Sequence, residues 1–289
     1  MRKQMEKIGL VLEGGAMRGM FTAGVLDVMM ENGITFDGAA GVSAGAAFGC
    51  NIKSRQIGRA IRYNKKYCRN KEYVSIRSWI RTGDLYGADF GYRKLPLELD
   101  PFDEKTFREN PMDFYAVATD MDTGEAVYHN CLTGDAKDLE WIRASASMPV
   151  VSRPVEIDGR RLSDGGTADS IPLRFMENRG YGKNVVVLTQ PSEYRKEPMK
   201  HFGIMKFALR KYPKLVNALK IRPEMYNAEV AYVHEREDAG AVFVIQPPEK
   251  LNIGAVCRDP DELERVYQIG RAVMESKMRE LQEFMMIEK

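Results

Sequence analysis

Gly41-Val42-Ser43-Ala44-Gly45 is the stretch whose reading decides the fold. Before it runs Gly38-Ala39-Ala40-Gly41-Val42, a small-residue run that reads as a buried strand, and after it Ala44 to Cys50 reads as the start of a helix. A nucleophilic serine needs this setting. It must stand out at the end of a strand on a tight turn, with glycines that permit a strained backbone and close approach of neighbouring elements. The helix N-terminus beneath it supplies positive potential for developing negative charge. Alone the pentapeptide is a modest signal, because Gly and Ser are common at strand–helix turns. Its context makes Ser43 the candidate nucleophile, with Gly41 and Gly45 shaping the elbow.

Upstream, the apolar run Ile8 to Leu12 ends in Glu13-Gly14-Gly15 and reads as another buried strand. Phe21, Val25, Val28 and Met29 follow at helical spacing, and Asn32-Gly33 closes that helix. Ile57, Ala60, Ile61, Asn64 and Cys68 then recur at helical period. Strand–helix–strand–helix over the first 70 residues is the pattern of a mainly parallel sheet flanked by helices. Farther on, Phe114 to Thr119 and Ala126 to His129 read as a hairpin joined at Asp122 to Glu125, and Val155 to Ile157 and Arg161 to Ser163 as a second, turning at Asp158-Gly159. Val185 to Leu188 reads as a central strand, Pro223 to Glu237 as a helix, Ala241 to Gln246 as a strand, and Asp259 to Met286 as a long helix started by Asp259-Pro260.

A serine nucleophile needs a base. The three histidines are poorly suited: His129 falls in a hairpin strand, His201 in a basic segment, and His234 on a polar helix beside Glu235-Arg236-Glu237. A Ser-His-Asp triad is therefore not expected. Asp164, in Leu162-Ser163-Asp164-Gly165-Gly166, follows a strand, and two glycines free the backbone beside it. Partial desolvation there would raise a carboxyl pKa toward the working range of a base. Ser145 and Ser147 lie nearer Asp164 in sequence but in no elbow, and read as small packing residues on a helix. Gly14, Gly15, Ala16, Met17, Arg18 and Gly19 join the first strand to the first helix, and small residues there leave N–H groups able to cradle a phosphate or an oxyanion. A dinucleotide fingerprint would want glycine at Ala16 and an acid about 20 residues on. Asp37 is near that distance, but Ser43 soon follows it.

These motifs, in this order, resemble the patatin-like phospholipase family: a glycine-rich loop at Glu13 to Gly19, G-x-S-x-G at Gly41 to Gly45, and D-G-G at Asp164 to Gly166. Thr119-Asp120, Ala144 to Pro149 and Asp169-Ser170-Ile171-Pro172 add to the resemblance, which runs from Ile8 to Gln190. It implies a three-layer α/β/α fold and metal-free hydrolysis of lipid acyl esters by a Ser43–Asp164 dyad. N–H groups of Gly15, Ala16 and their neighbours would bind the oxyanion, with Arg18 supporting the loop. Ala16 departs from the family's third loop glycine. The same dyad would serve acyl transfer or thioester cleavage. A catalytically silent lipid-binding module is a further alternative, against which the intact Ser43 and Asp164 argue.

Composition bounds the rest. A net charge of +2 over 289 residues gives no global pull toward nucleic acid. No secretory leader and no run approaching ~18 apolar residues is evident, so a cytoplasmic protein with at most peripheral membrane contact is expected. Cys50, Cys68, Cys131 and Cys257 lack metal or redox spacing, so reduced thiols, no metal and no cofactor are expected. The 17 methionines suit core filling better than acyl-chain contact. Residues 8–190 are read as the catalytic domain, and 191–289 as a basic segment and largely helical extension packed on it. From Arg195 to Arg222 there are nine Lys or Arg against one Glu, interleaved with Phe202, Ile204, Met205, Phe207, Leu209, Leu215, Val216 and Leu219. That composition suits a lid on the inner, anionic face of a membrane, or equally a basic-surfaced helical pair.

Overall fold

The computed structural model describes residues 6–73, 87 and 89–285. Met286, expected to end the last helix, and Met1 to Met5 lie outside them. The strands are β1 (Lys7–Leu12), β2 (Gly38–Val42), β3 (Asp113–Asp120), β4 (Ala126–Asn130), β5 (Val155–Ile157), β6 (Arg160–Asp164), β7 (Tyr181–Val187) and β8 (Val242–Ile245). The helices are α1 (Gly19–Glu31), α2 (Ala44–Ser54), α3 (Arg59–Tyr67), α4 (Glu104–Glu109), α5 (Ala136–Ser145), α6 (Leu173–Asn178), α7 (Phe202–Ala208), α8 (Pro213–Asp238) and α9 (Pro260–Phe284). A π-helical stretch covers Phe90–Leu99.

The strands form one sheet. β3, β2, β1, β7 and β8 run parallel in that order, and β4, β5 and β6 add antiparallel pairings at the β3 side. Period-two alternation sorts the core into two faces. Leu10 and Leu12 pack with Phe21, Leu26, Phe114, Leu263 and Val266 on one side. Val11 packs with Leu173, Met176, Tyr226, Val230 and Val233 on the other. Helices thus cover both faces of a mostly parallel sheet, the three-layer architecture expected from the sequence.

Local chemistry explains the turns. Asp158 and Gly159 have φ of 51° and 76°, the two positive values that a type I′ hairpin requires. The Asp259 side chain accepts from the Asp261 N–H and caps α9, whose first residue is Pro260. One boundary differs from the sequence reading: α8 starts at Pro213, not Pro223, and runs through Pro223. A proline inside a helix costs about 3 kcal/mol. Here Leu215, Leu219, Tyr226, Val230 and Val233 are all buried along α8, and that burial outweighs the lost hydrogen bond.

The C-terminal region is continuous with the rest. β8 extends the sheet beside β7, and α9 crosses α1. At that crossing a Cβ on Gly270 would lie 2.0 Å from the Phe21 carbonyl oxygen, and one on Gly24 would lie 2.1 Å from that of Tyr267. The helix backbones touch, with the Tyr267 hydroxyl donating to buried Asp27 at 2.7 Å and Arg271 gripping Glu31 at 2.8 and 2.7 Å. Gly270→Val should therefore push α9 off α1. Chemical denaturation should show a loss of at least ~2 kcal/mol, the range for overpacking and broken contacts in a core. A substitution there that leaves stability unchanged would contradict this close crossing.

Candidate active site

The edge of β3 brings the candidate residues together. Tyr115, Ala116 and Val117 each pair with both β2 and β4, so those two strands occupy opposite edges of β3. Ala118 and Thr119 pair with both β4 and β6, so β6 lies on the β2 edge. β2 and β6 therefore meet end to end: Val117 faces Val42, and the next residue, Ala118, faces Asp164. Ser43 leaves the sheet at this junction, beside the Asp164 carboxyl, whose charged form its hydroxyl favours. The glycines hold the junction closed. A Cβ on Gly165 would lie 2.1 Å from the Val117 carbonyl oxygen, and one on Gly45 would lie 2.4 Å from that of Leu12. Gly41 is equally constrained, its Cβ position falling 2.6 Å from the Gly45 oxygen.

Ser43 has φ 55° and ψ −119°, a conformation that L-residues rarely adopt. The surroundings maintain it. Its N–H donates to the fully buried Ser145 hydroxyl at 2.9 Å, and the Ala46 and Ala47 N–H groups both donate to its carbonyl at 3.0 Å. Asp164 is 6% exposed, its N–H donates to the Ser147 carbonyl at 2.7 Å, and its carboxylate accepts from the Gly166 N–H at 2.9 Å. Burial pushes its pKa above the ordinary aspartate value. The Ser43 hydroxyl, Arg222, the Gly166 N–H and Lys196 offset this only in part.

The glycine loop stands beside Ser43. A Cβ on Gly14 would come within 2.9 Å of the Ser43 Cβ. Gly15 is extended, Ala16 turns left-handed at φ 48°, and Ala16–Arg18 forms a single 3-10 turn. A methyl group at that φ costs about 1–2 kcal/mol, and this is the physical meaning of the departure at Ala16. Among the described residues, no acceptor engages the N–H groups of Gly15 or Ala16. Glu13 anchors the loop from below: its carboxylate accepts from the Thr189 N–H at 2.6 Å and the Tyr226 hydroxyl at 2.9 Å, and Thr189 Oγ1 donates to the Gly14 carbonyl at 2.8 Å. Burial raises the Glu13 pKa, with the Thr189 N–H and Arg18 opposing. Met17 is buried, and Gly19 starts α1 with its Cβ position 2.8 Å from Phe48 and Ala44.

Two cavities meet at Ser43, Ala16 and Met148. One, about 120 Å³, is apolar, lined by Phe48, Tyr63, Tyr92, Leu95 and Ile142 among others. The other, about 370 Å³, contains Asp164 and has a basic wall of Arg18, Lys196 and Arg222 facing apolar residues such as Val151, Met199 and Met205. Among the described residues, no histidine lines either. His129 stacks on Trp141 and bonds to Asp138, His201 precedes α7, and His234 bonds to Glu237.

The sequence reading missed several of these residues. Ser145 and Ser147 are not mere packing: one holds the Ser43 backbone and the other that of Asp164. Thr189, Tyr226, Lys196 and Arg222 carry no local motif and come from elements far apart in sequence, and Glu13 was read only as part of the glycine loop, not as its anchor. His129, Cys131 and Asp138 also converge, with potential ligand atoms within 4.8 Å of one another, although no sequence spacing announced a cluster. It does not suit a cation. The Asp138 carboxylate already accepts from the Thr133 and Gly134 N–H groups and from the Thr133 hydroxyl, and burial keeps the Cys131 thiol protonated by raising its pKa well above the usual value. The four cysteines are free, three of them buried.

Comparison with known proteins gives the family. A pattern described as patatin-like phospholipase matches residues 10–176, and a domain of unknown function (DUF6363) matches residues 212–286. The uncharacterized protein YjjU of Escherichia coli K12 is 30% identical over 280 residues, covering 93% of this chain and 76% of that protein. An uncharacterized NTE family protein of Mycobacterium tuberculosis H37Rv is 29% identical over 167 residues, 58% of this chain and 44% of its own length. The lysophospholipase NTE1 of Lodderomyces elongisporus is 26% identical over 285 residues, 92% of this chain but 19% of its own length. The crystal structure of VipD from Legionella pneumophila aligns at a TM-score of 0.42 with 14% identity, covering 94% of this chain and 67% of that one. The chain belongs to the patatin-like phospholipase family.

Proposed function

We propose that this protein is a serine hydrolase that cleaves fatty-acyl esters of lipids, with Ser43 as nucleophile and Asp164 as base. The observation that carries the reading is the placement of Ser43, on a strained strand–helix elbow, beside a buried carboxyl of raised pKa, with none of the described histidines lining the site. Family membership and the lysophospholipase relatives support lipid as the substrate. Asp164 accepts the hydroxyl proton as Ser43 Oγ attacks the acyl carbonyl carbon. The resulting oxyanion meets the free N–H groups of Gly15 and Ala16. Collapse breaks the ester C–O bond, and the departing alcohol takes the proton from Asp164. Water, deprotonated by the same carboxylate, then releases the fatty acid and regenerates Ser43. An acceptor alcohol in place of water would give acyl transfer. The apolar cavity accommodates the acyl chain, and no step calls for a metal.

The site's margin points to a lipid surface as partner. In the basic segment, Leu209, Leu215 and Leu219 are buried with Met121, whereas Ile204 and Phe207 on α7 are 72% and 69% exposed. Lys200, Lys206, Arg210 and Lys211 are exposed around them, and Met205 of the same helix lines the cleft beside Ser43. A basic rim with two large apolar residues in water fits peripheral binding to an anionic bilayer, at the inner face of the membrane if the protein is cytoplasmic. Among the described residues, no helix is long and apolar enough to cross a membrane.

Ser43→Ala and Asp164→Asn should each lower hydrolysis of a short-chain ester by ~100-fold or more, and the double variant should be scarcely worse, because the pair acts as one unit. Circular dichroism should show all three folded. A single variant that keeps more than about a tenth of wild-type turnover would overturn the dyad. Separately, wild type should co-sediment with anionic vesicles at low salt and dissociate at high salt. Ile204→Ser/Phe207→Ser should bind more weakly. Wild type that stays in the supernatant at low salt would end the membrane reading.

A further inference from the structure

The larger cleft is more basic than hydrolysis alone requires. Arg18, Lys196 and Arg222 all line it, and each is half-buried. Among the described residues, none of the three forms an ion pair. Arg18 Nε is buried and has no hydrogen-bond partner. Asp164 in the same cleft gains from Arg222 and Lys196 while accepting from the Gly166 N–H, and the other nearby acids are engaged elsewhere. Glu13 accepts from the Thr189 N–H and the Tyr226 hydroxyl. Glu229 accepts from the Ser170 N–H at 3.1 Å, and burial beside Asp169 pushes its pKa above the ordinary glutamate value.

The cations are held in place. On α8, Arg222, Tyr226 and Glu229 follow at helical spacing and so share the face turned to the cleft. Arg222 Nε donates to the Gly166 carbonyl, beside the aspartate turn. The Asn227 side chain grips the backbone of Lys196 twice, accepting from its N–H at 2.9 Å and donating to its carbonyl at 3.1 Å. That clamp sets the Lys196 ammonium 4.5 Å above the Tyr226 ring. Burial, with repulsion from Arg222 and Arg18, pushes the Lys196 pKa down to about 8. Three positive groups kept close together, facing Asp164 but none of them in an ion pair among the described residues, carry a surplus of charge, and an anion entering the cleft would relieve its cost.

We propose that Arg18, Lys196 and Arg222 form a subsite for the phosphate of a lipid headgroup, so that the C-terminal region selects phosphate-bearing acyl esters for Ser43. The proposal rests on the hydrolase reading above. Two guanidinium forks and one ammonium match the several oxygens of a phosphate better than they match a single carboxylate. The subsite and the apolar cavity meet at Ser43. A lysolipid would thus lie across the nucleophile, with its chain on one side and its phosphate on the other. The long helix α8 then has a role that the matched catalytic stretch lacks: it carries Arg222 and, through Asn227 and Tyr226, fixes Lys196.

The test uses the full chain and two soluble lipids of the same short acyl chain, a lysophosphatidic acid and a monoacylglycerol, both below their aggregation limits. The readout is the ratio of their kcat/KM values. Wild type should favour the phosphate ester. Lys196→Gln and Arg222→Gln should each lower the ratio by about tenfold, the loss expected for one charge-assisted contact, and Lys196→Arg should restore most of it. Inorganic phosphate should inhibit monoacylglycerol cleavage competitively in wild type and less in Lys196→Gln. Inhibition by inorganic phosphate without preference for lysophosphatidic acid would overturn the headgroup assignment in favour of free phosphate. Equal kcat/KM for both lipids, with Ser43 still labelled by a fluorophosphonate, would overturn the subsite alone. A wild type that neither labels nor cleaves would overturn the hydrolase reading beneath it.

Discussion

The site depends on one handover of backbone hydrogen bonding. β2 stops pairing with β3 at Val42, and β6 takes the same edge one residue later at Asp164. A strand ending abruptly against another leaves the residue after Val42 no place in the ladder, so Ser43 must turn out of the sheet. The residue that takes the vacated place is Asp164, whose carboxylate lies beside Ser43. Neighbouring residues along one strand edge are held by the ladder itself, which is more rigid than any loop could be. Gly165, pressed against the Val117 carbonyl, and Gly45, pressed against that of Leu12, are the conditions for this junction to close.

The arrangement is energetically unfavourable in isolation. Ser43 and Ala16 both hold positive φ, at about 1–2 kcal/mol each, and Asp164 is buried against its preference for water. Such strain persists only where the surroundings over-determine it. Here they do so through hydrogen bonds from distant elements. Ser145 at the end of α5 takes the Ser43 N–H, the Ser147 carbonyl takes that of Asp164, and Glu13 ties the glycine loop to Thr189 and to Tyr226 on α8. The layers that supply these groups are in turn fixed by the apolar faces of the sheet and by the α1–α9 crossing. Fold stability and site geometry are thus one network, and α8 and α9 belong to it as much as the sheet does.

Most of the fold was legible because its signals are local. The glycine-bounded apolar runs, the Asp158-Gly159 hairpin and the Asp259-Pro260 cap each carry their cause within a few residues. The elbow at Ser43 and the aspartate turn at Asp164 were legible for the same reason: both need glycine beside them, and the sequence has it. The start of α8 was misread because Pro223 is a strong local stop that only tertiary burial overrides. The supporting residues were invisible for a different reason. Ser145, Thr189 and Lys196 act through backbone contacts across 102, 175 and 31 positions, and no spacing rule spans such distances. The His129–Cys131–Asp138 cluster arises because a strand and the following helix fold onto each other, which again no local pattern encodes.

The central claim is that a buried carboxylate, without histidine, activates Ser43, and its most direct test is the pH dependence of fluorophosphonate labelling. A base works only when deprotonated, so labelling of wild type should rise with pH through the Asp164 pKa and then level off. Because burial raises that pKa, the rise should lie above the ordinary aspartate range. In Asp164→Asn the limb should vanish and labelling should slow by ~100-fold or more. A limb that survives unchanged in Asp164→Asn, or labelling at the wild-type rate in that variant, would contradict the account.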